Sequence, residues 1–190
     1  MPSPVAHSLA GAALYLALSP AGRPLAPWRT ALLCVATASA ADLDFLAGLA
    51  VGDPNRFHQG ASHSLVVALA LGLALAWLPL PSLGRFGRRW ALMNALTVSH
   101  LALDLVTRDA RPPYGMLLFW PFSPAFVHSG LELFPNMRRG SLEVVLSAGN
   151  WRALATEIAL LGPVLAAVAC WRRGRPPGPG SLGRPRAGLV

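Results

Sequence analysis

Histidines and carboxylates recur along this chain at spacings that could hold a metal ion. His100 and Asp104 are four residues apart, so on a helix they share one face and can bind the same ion or adjacent ions. A hydrogen bond between the two side chains explains that spacing equally well. His128 and Glu132 repeat the interval where a helix is less clearly indicated, and a solvated loop pair is the alternative there.

Five further metal-binding residues lie in the first third of the chain. Asp42 and Asp44 are two apart and could bind ions from both sides of a helix end, the alternative being an acidic end exposed to water. His58 and His63 lie in a predicted loop, where histidines are often surface residues, and His7 alone would be interpreted as a packed histidine. Imidazole and carboxylate together suit zinc, with iron or manganese also open. So large a set exceeds one tetrahedral site, and two or three ions could bind.

The elements that must position these residues are strongly apolar. Of 190 residues, 54% are hydrophobic and 13% charged, more apolar than a soluble domain requires. Five windows poor in charge approach the roughly 20 residues of a membrane-spanning helix. They run from about Pro4 to Leu18, Ala31 to Leu49, Ser64 to Leu80, Trp90 to Val106 and Leu154 to Trp171. We therefore predict an all-α, polytopic helical membrane protein with about five transmembrane helices and a metal site at one membrane face. A signal peptide is the alternative for the first window, disfavoured because no positive charge precedes it.

Arginines in the connectors predict the orientation. One set of arginines lies between the first two windows, between the third and fourth, and after the fifth. If all five windows span the membrane, these three places are on the same side of it. These residues are Arg23, Arg29, Arg85, Arg88, Arg89, Arg172, Arg173 and Arg175. The positive-inside rule makes that side cytoplasmic, so the histidines and their carboxylates should face the extracytoplasmic side. This topology also accounts for the net charge of +8, and no nucleic acid partner is expected.

The predicted organisation is one membrane-embedded domain over residues 1–171 and a basic Pro/Gly tail over 172–190. The tail lacks the apolar residues needed to fold and should be disordered. Residues 107–152 predict an interfacial loop with short helices.

The combined motifs resemble the LexA-regulated, inner-membrane-associated family of metal-dependent hydrolases, the YdjM-like proteins. The resemblance covers about Met1 to Phe122. It rests on Pro4-Val-Ala-His7-Ser-Leu-Ala-Gly11, Asp42-Leu-Asp44, His58-Gln-Gly-Ala-Ser-His63-Ser64, His100-Leu-Ala-Leu-Asp104 and Trp120-Pro-Phe122. It implies a bacterial inner-membrane enzyme.

That family in turn resembles the all-helical zinc-dependent phospholipase C and P1 nuclease group, whose trinuclear zinc site hydrolyses phosphodiesters. The resemblance implies an ordered ligand set. Its members here would be His7, Asp44, His58, His100 with Asp104, and His128 with Glu132. The chain departs from the group in lacking the N-terminal tryptophan and a histidine shortly after His-x-x-x-Asp. One metal would then be absent or held differently, with His63 or Asp42 as substitutes.

The expected function is metal-dependent hydrolysis of a phosphoester or phosphodiester, with phospholipid head groups as substrates open to the enzyme at the membrane surface. Metal-activated water would be the nucleophile, with Asp44, or else Asp42, as general base. Trp120, Arg108 and Arg111 are candidate substrate-binding residues, the alternatives being a membrane-interface aromatic and solvated loop charges. The alternative function is a non-catalytic metal-binding membrane protein, a transporter or sensor.

Overall fold

The computed structural model describes residues 1–20, 27–53, 55–110, 112–138 and 141–174. Within these ranges the chain is all-helical without strands, which confirms the all-α part of the predicted fold class. The helices are α1 (Pro4–Leu18), α2 (Trp28–Ala38), α3 (Asp44–Ala50), α4 (Leu65–Ala76), α5 (Phe86–Leu105), α6 (Leu142–Val145) and α7 (Ala148–Arg173). Short 3-10 turns lie at Ala40–Leu43, Ala61–His63 and Pro81–Leu83.

Each predicted apolar window contains helix, but the helices differ in length and continuity. The segment Leu142–Arg173, which contains α6 and α7, has an 18-residue window with a mean hydropathy of 2.0 and is the one segment within the described ranges that is by itself long and apolar enough to cross a bilayer. The second window is broken: Trp28–Ala38 and Ala40–Ala50 bend by 74° and make a second span only if taken together. Helices α1 and α4 have 15 and 12 residues. At 1.5 Å per residue they reach about 22 and 18 Å, short of a hydrocarbon core of about 30 Å. Five transmembrane helices therefore stay a prediction.

The helices pack closely through small residues. Helix α4 lies against α5, while α1 contacts α2, α5 and α7. A Cβ added at Gly72 of α4 would lie 2.9 Å from the Cα of Asn94 on α5, so only glycine allows this approach. Likewise, a Cβ at Gly11 of α1 would lie 2.8 Å from Cβ of Ala38 on α2. The resulting contacts bring the start of α4, the end of α2 and the second half of α5 together.

A polar anchor fixes α1 against α7. Ser3 caps α1 by accepting a hydrogen bond from the Val5 amide at 3.1 Å. Glu157 of α7 is fully buried and accepts hydrogen bonds from the Ser3 amide, at 2.6 Å, and from the Ser3 hydroxyl. His7 follows one turn later on α1, so this anchor also sets its position.

The long segment after α5 is mostly irregular. Isolated β-bridges pair Thr107 with Phe134 and Met116 with Val127, and α6 is a single short helix before α7. Helix α7 runs to Arg173, two residues beyond the predicted end of the domain. Residues 175–190 of the predicted tail lie outside the described residues.

Candidate metal centre

Five candidate ligands converge from four parts of the fold. His7 comes from α1, Asp42 from the 3-10 turn after α2, His63 from the turn before α4, and His100 and Asp104 from successive turns of α5. The three histidines are fully buried, and Asp104 is 6% exposed. Apolar helices thus surround a compact set of imidazoles and carboxylates.

The ligand atoms of α5 and of the turn before α4 have the spacing of a zinc site. The Nε2 atoms of His63 and His100 are 3.3 Å apart, and Asp104 Oδ2 lies 3.4 Å from the first and 3.3 Å from the second. Two atoms bound to zinc at about 2.0–2.1 Å with tetrahedral geometry lie roughly 3.3–3.4 Å apart. Asp42 Oδ1 is 3.7 and 3.6 Å from the same two nitrogens, so it can complete the set.

The neighbouring ligand atoms extend this site. Asp104 Oδ1 lies 3.7 Å from Nε2 of His7, whose ring stacks on His100 with centroids 3.9 Å apart. Three overlapping groups have ligand atoms that all lie within 4.8 Å of one another. They are His7 with Asp42 and His100, Asp42 with His58 and His63, and His63 with His100 and Asp104.

Hydrogen bonds at the Nδ1 atoms of His63 and His100 leave the Nε2 atoms of both rings available to a metal. His100 Nδ1 lies 2.9 Å from the Ala38 carbonyl and His63 Nδ1 3.2 Å from Asp44 Oδ2, so both rings donate from Nδ1. Their Nε2 lone pairs then face each other, an arrangement that metal-binding histidines commonly adopt.

Several buried atoms lack the partners that buried polar groups normally have. Within the described part of the chain, both ring nitrogens of His7, Oδ1 of Asp42 and both carboxylate oxygens of Asp104 accept or donate no hydrogen bond. A cation among them would satisfy these atoms. The nitrogen and oxygen donors fit zinc, and their number exceeds the needs of one ion.

The pKa of His63 reflects the negative charge of the carboxylates around it. Burial lowers the pKa of its ring, but the neighbouring carboxylates of Asp42, Asp44 and Asp104 outweigh this effect and raise the pKa to about 9. These carboxylates therefore favour a positive charge at this ring, whether a proton or a metal ion.

Asp44 lies behind the ligands rather than among them. Its Oδ1 is 3.0 Å from His58 Nδ1, and its Oδ2 accepts from the Ser62 hydroxyl at 2.7 Å and faces His63 Nδ1. The carboxylate therefore orients two imidazoles, as carboxylates behind metal ligands commonly do. Asp44 was predicted as a ligand and as the favoured base, whereas Asp42 occurs in two of the three ligand groups. Ser62 was missed because no spacing rule points to it.

A cavity of about 880 Å³ opens beside this centre. Asp44, His58 and Ser62 form part of its wall, so the His58 side of the ligand set is the side that a substrate can reach. The Met1 sulfur contacts His58 Nε2 at the same place. His7 and His100 lie deeper.

The structure does not bring the predicted ligands His128 and Glu132 to this centre. Both are exposed and belong to none of the three ligand groups. Their segment is not helical, so the four-residue interval does not bring the side chains together. His128 Nδ1 accepts instead from the Gly130 amide at 3.1 Å, and Glu132 lies 3.7 Å from the guanidinium of Arg108.

Two of the three predicted substrate-binding residues, Trp120 and Arg108, also lie elsewhere. Trp120 is 39% exposed in a turn, and neither it nor Arg108 lines the cavity that the described residues form. Arg111 lies outside the described residues. Among the arginines that the structure describes, Arg56 and Arg138 line the cavity.

Comparison with known proteins identifies one match. A family model described as YdjM inner membrane protein matches residues 1–175. This match extends well beyond the motifs at Met1 to Phe122. No curated protein and no solved structure matches the chain. The more distant similarity to phospholipase C and P1 nuclease therefore stays a prediction.

Proposed function

Because the chain belongs to the YdjM inner membrane protein family, we propose that it is a membrane-bound metal-dependent hydrolase of phosphoester bonds, phospholipid head groups included. The observation that carries the proposal is the buried ligand set of His63, His100 and Asp104, spaced for zinc, beside a cavity large enough for a small organic phosphate. A purely structural metal site has no need of such a cavity.

Each residue has a distinct part in the proposed reaction. His63, His100, Asp104 and Asp42 would hold zinc, which supplies Lewis acidity toward a phosphoryl oxygen and makes water acidic near neutral pH. Asp44 keeps the protons of His58 and His63 on their Nδ1 atoms. Both Asp44 oxygens are occupied in this way, so Asp42, whose second carboxylate oxygen is not needed for zinc, is the better proton acceptor.

The proposed location is the inner membrane, in the five-span topology predicted from the sequence, with α7 and the bent α2–α3 segment as two of the spans and α1, α4 and α5 as the other three. Support comes from the window of α7, which is only 11% buried within the protein and presents its apolar residues to lipid. We place the metal centre on the extracytoplasmic side, following the arginines of the connectors. A reporter fused after Trp171 tests this: a cytoplasmic signal is expected, and an extracytoplasmic signal would reverse the orientation.

Elemental analysis of the detergent-purified full chain tests the site. Two or more zinc ions per chain are expected, with a fall in the His100→Ala, Asp104→Ala double variant. His128→Ala, Glu132→Ala is the matched control, because it removes the same residue types at the same interval outside the ligand groups. No zinc in the wild type, or equal zinc in both variants, contradicts the site.

Hydrolysis is then measured with bis(p-nitrophenyl) phosphate and with phospholipid vesicles. Release of nitrophenol or of phosphorylated head group by the wild type, lost in the double variant, supports the enzyme. Bound zinc without either product would instead favour a non-catalytic metal-binding protein, the transporter or sensor.

A further inference from the structure

Two arginines face the cavity without an acidic partner. Arg56 and Arg138 both line it, and neither forms an ion pair with any residue that the structure describes. The cavity's carboxylates are engaged elsewhere. Asp44 holds the imidazoles, and Asp109 accepts from the Gly115 amide at 2.7 Å. The cavity wall therefore has two guanidinium groups without an ion-pair partner among the described residues, and Asp44 and His58 belong to the same wall.

The backbone of Arg138 is held in place from two sides. Asn150 of α7, only 3% exposed, accepts from the Arg138 amide at 2.8 Å and donates to the Arg138 carbonyl at 2.7 Å. Its side-chain nitrogen also reaches the Val144 carbonyl at the end of α6. On the other side, the Met137 amide donates to the Met1 carbonyl at 3.1 Å. A buried side-chain amide that fixes the backbone of an exposed arginine, as Asn150 does for Arg138, is typical of a binding position.

The rest of the cavity wall suits the organic part of an ester. Leu117, Phe126, Pro112 and Val144 supply apolar surface, while His58 marks the end nearest the metal ligands. An amphiphilic anion matches this division, with its charge on the guanidiniums and its carbon skeleton on the apolar wall.

We propose that Arg56 and Arg138 form a subsite for the anionic phosphate group of an ester bound in this cavity, with Asn150 positioning Arg138. This inference rests on the proposed function only for the later hydrolysis of the bound ester. Binding of the anion requires no hydrolysis, so the two proposals can fail separately.

The test is calorimetric titration of the full chain in a neutral detergent, before and after zinc is removed with a chelator. Inorganic phosphate is one probe, and short-chain phosphatidylglycerol in the micelle is the other. Arg138→Met and Arg56→Met should each weaken binding of at least one probe by about tenfold, the scale of one charge-assisted contact. The effect should persist after zinc removal, because it does not act through the metal.

Arg108→Met is the matched control, since Arg108 is an exposed arginine that pairs with Glu132 outside the cavity. It should leave both affinities unchanged. Arg138→Lys should restore part of the binding by keeping the charge, and Asn150→Ala should weaken it while the guanidinium is still present. Loss confined to phosphatidylglycerol would identify a lipid head group as the ligand, and loss with both probes a general phosphate subsite.

Equal affinities of the wild type, Arg138→Met and Arg56→Met for both probes would overturn the subsite, whatever the protein hydrolyses. Arginine-dependent binding in a protein that hydrolyses neither substrate would support the subsite and refute the enzyme. Zinc content, unchanged in all the arginine variants, shows that the metal centre is intact.

Discussion

Replacing Asp44 by asparagine separates a residue that orients ligands from one that binds metal. The carboxylate accepts from three donors: His58 Nδ1 at 3.0 Å, the Ser62 hydroxyl at 2.7 Å and His63 Nδ1 at 3.2 Å. An amide keeps one accepting oxygen and presents an NH₂ group in place of the other. One imidazole must then accept at Nδ1, which moves its proton to Nε2, the atom that faces the metal ligands.

The expected size of this effect follows from the geometry. All the ligands remain in Asp44→Asn, but one of them carries its proton on the wrong nitrogen. Substitutions of such orienting groups commonly weaken metal binding by about 10- to 100-fold, or roughly 1.4–2.8 kcal/mol. Asp42→Asn removes a ligand oxygen of two groups, so its loss of affinity should be larger.

Competition with a chromophoric zinc chelator in detergent measures both affinities. Asp53→Asn is the control, because Asp53 is exposed and only accepts a local hydrogen bond from the Asn55 amide. Wild-type affinity in Asp44→Asn would refute the orienting role. A loss equal to or above that of Asp42→Asn would make Asp44 a ligand, as its place in the sequence motif predicts.

Three other predictions concern the packing of α4 against α5, the anchor at Glu157 and the charge of the metal centre. Gly72→Ala should lower the free energy of unfolding by about 1–2 kcal/mol in thermal melts, because overpacking against Asn94 costs more than the gain in helix propensity. Gly87→Ala is the control and should not destabilise the protein, since a Cβ there has nothing within 4 Å. Glu157→Gln should lower the free energy of unfolding by about 1–3 kcal/mol. In a double-mutant cycle with Ser3→Ala the two losses of stability should be non-additive, and additive losses would mean that the pair is not coupled. Zinc affinity should rise with pH until His63, whose pKa is about 9, has lost its competing proton, so a flat profile between about pH 6 and 9 would contradict that competition.

The helices were predictable because their signal is local. Apolar runs of limited length identify α1, α4, α5 and α7, and the structure places a helix in each. His100 and Asp104 share a helix face at four-residue spacing, and their closest side-chain atoms are 3.3 Å apart. Where the chain is regularly helical, spacing in the sequence translates directly into spacing in the protein.

The irregular segments explain what sequence reasoning missed. The interval between His128 and Glu132 has meaning only on a helix, and residues 112–138 form an extended loop with isolated bridges. Asp42 lies near His63 and His100 whereas Asp44 contacts His58 and Ser62, because a 3-10 turn between α2 and α3 directs their side chains to different places. Asn150 gives no motif, since its importance comes from contacts with Arg138 in another part of the chain.

The 74° break after α2 links helix geometry to metal affinity. A continuous helix would direct the Ala38 carbonyl to the amide four residues later, but at the break the Asp42 amide bonds Ser39 and the Ala38 carbonyl accepts from His100. Straightening this segment would take that acceptor from the His100 ring and release its orientation. An ion bound at His100, as proposed, would therefore favour the bent conformation, because the break supplies the carbonyl that orients this ligand.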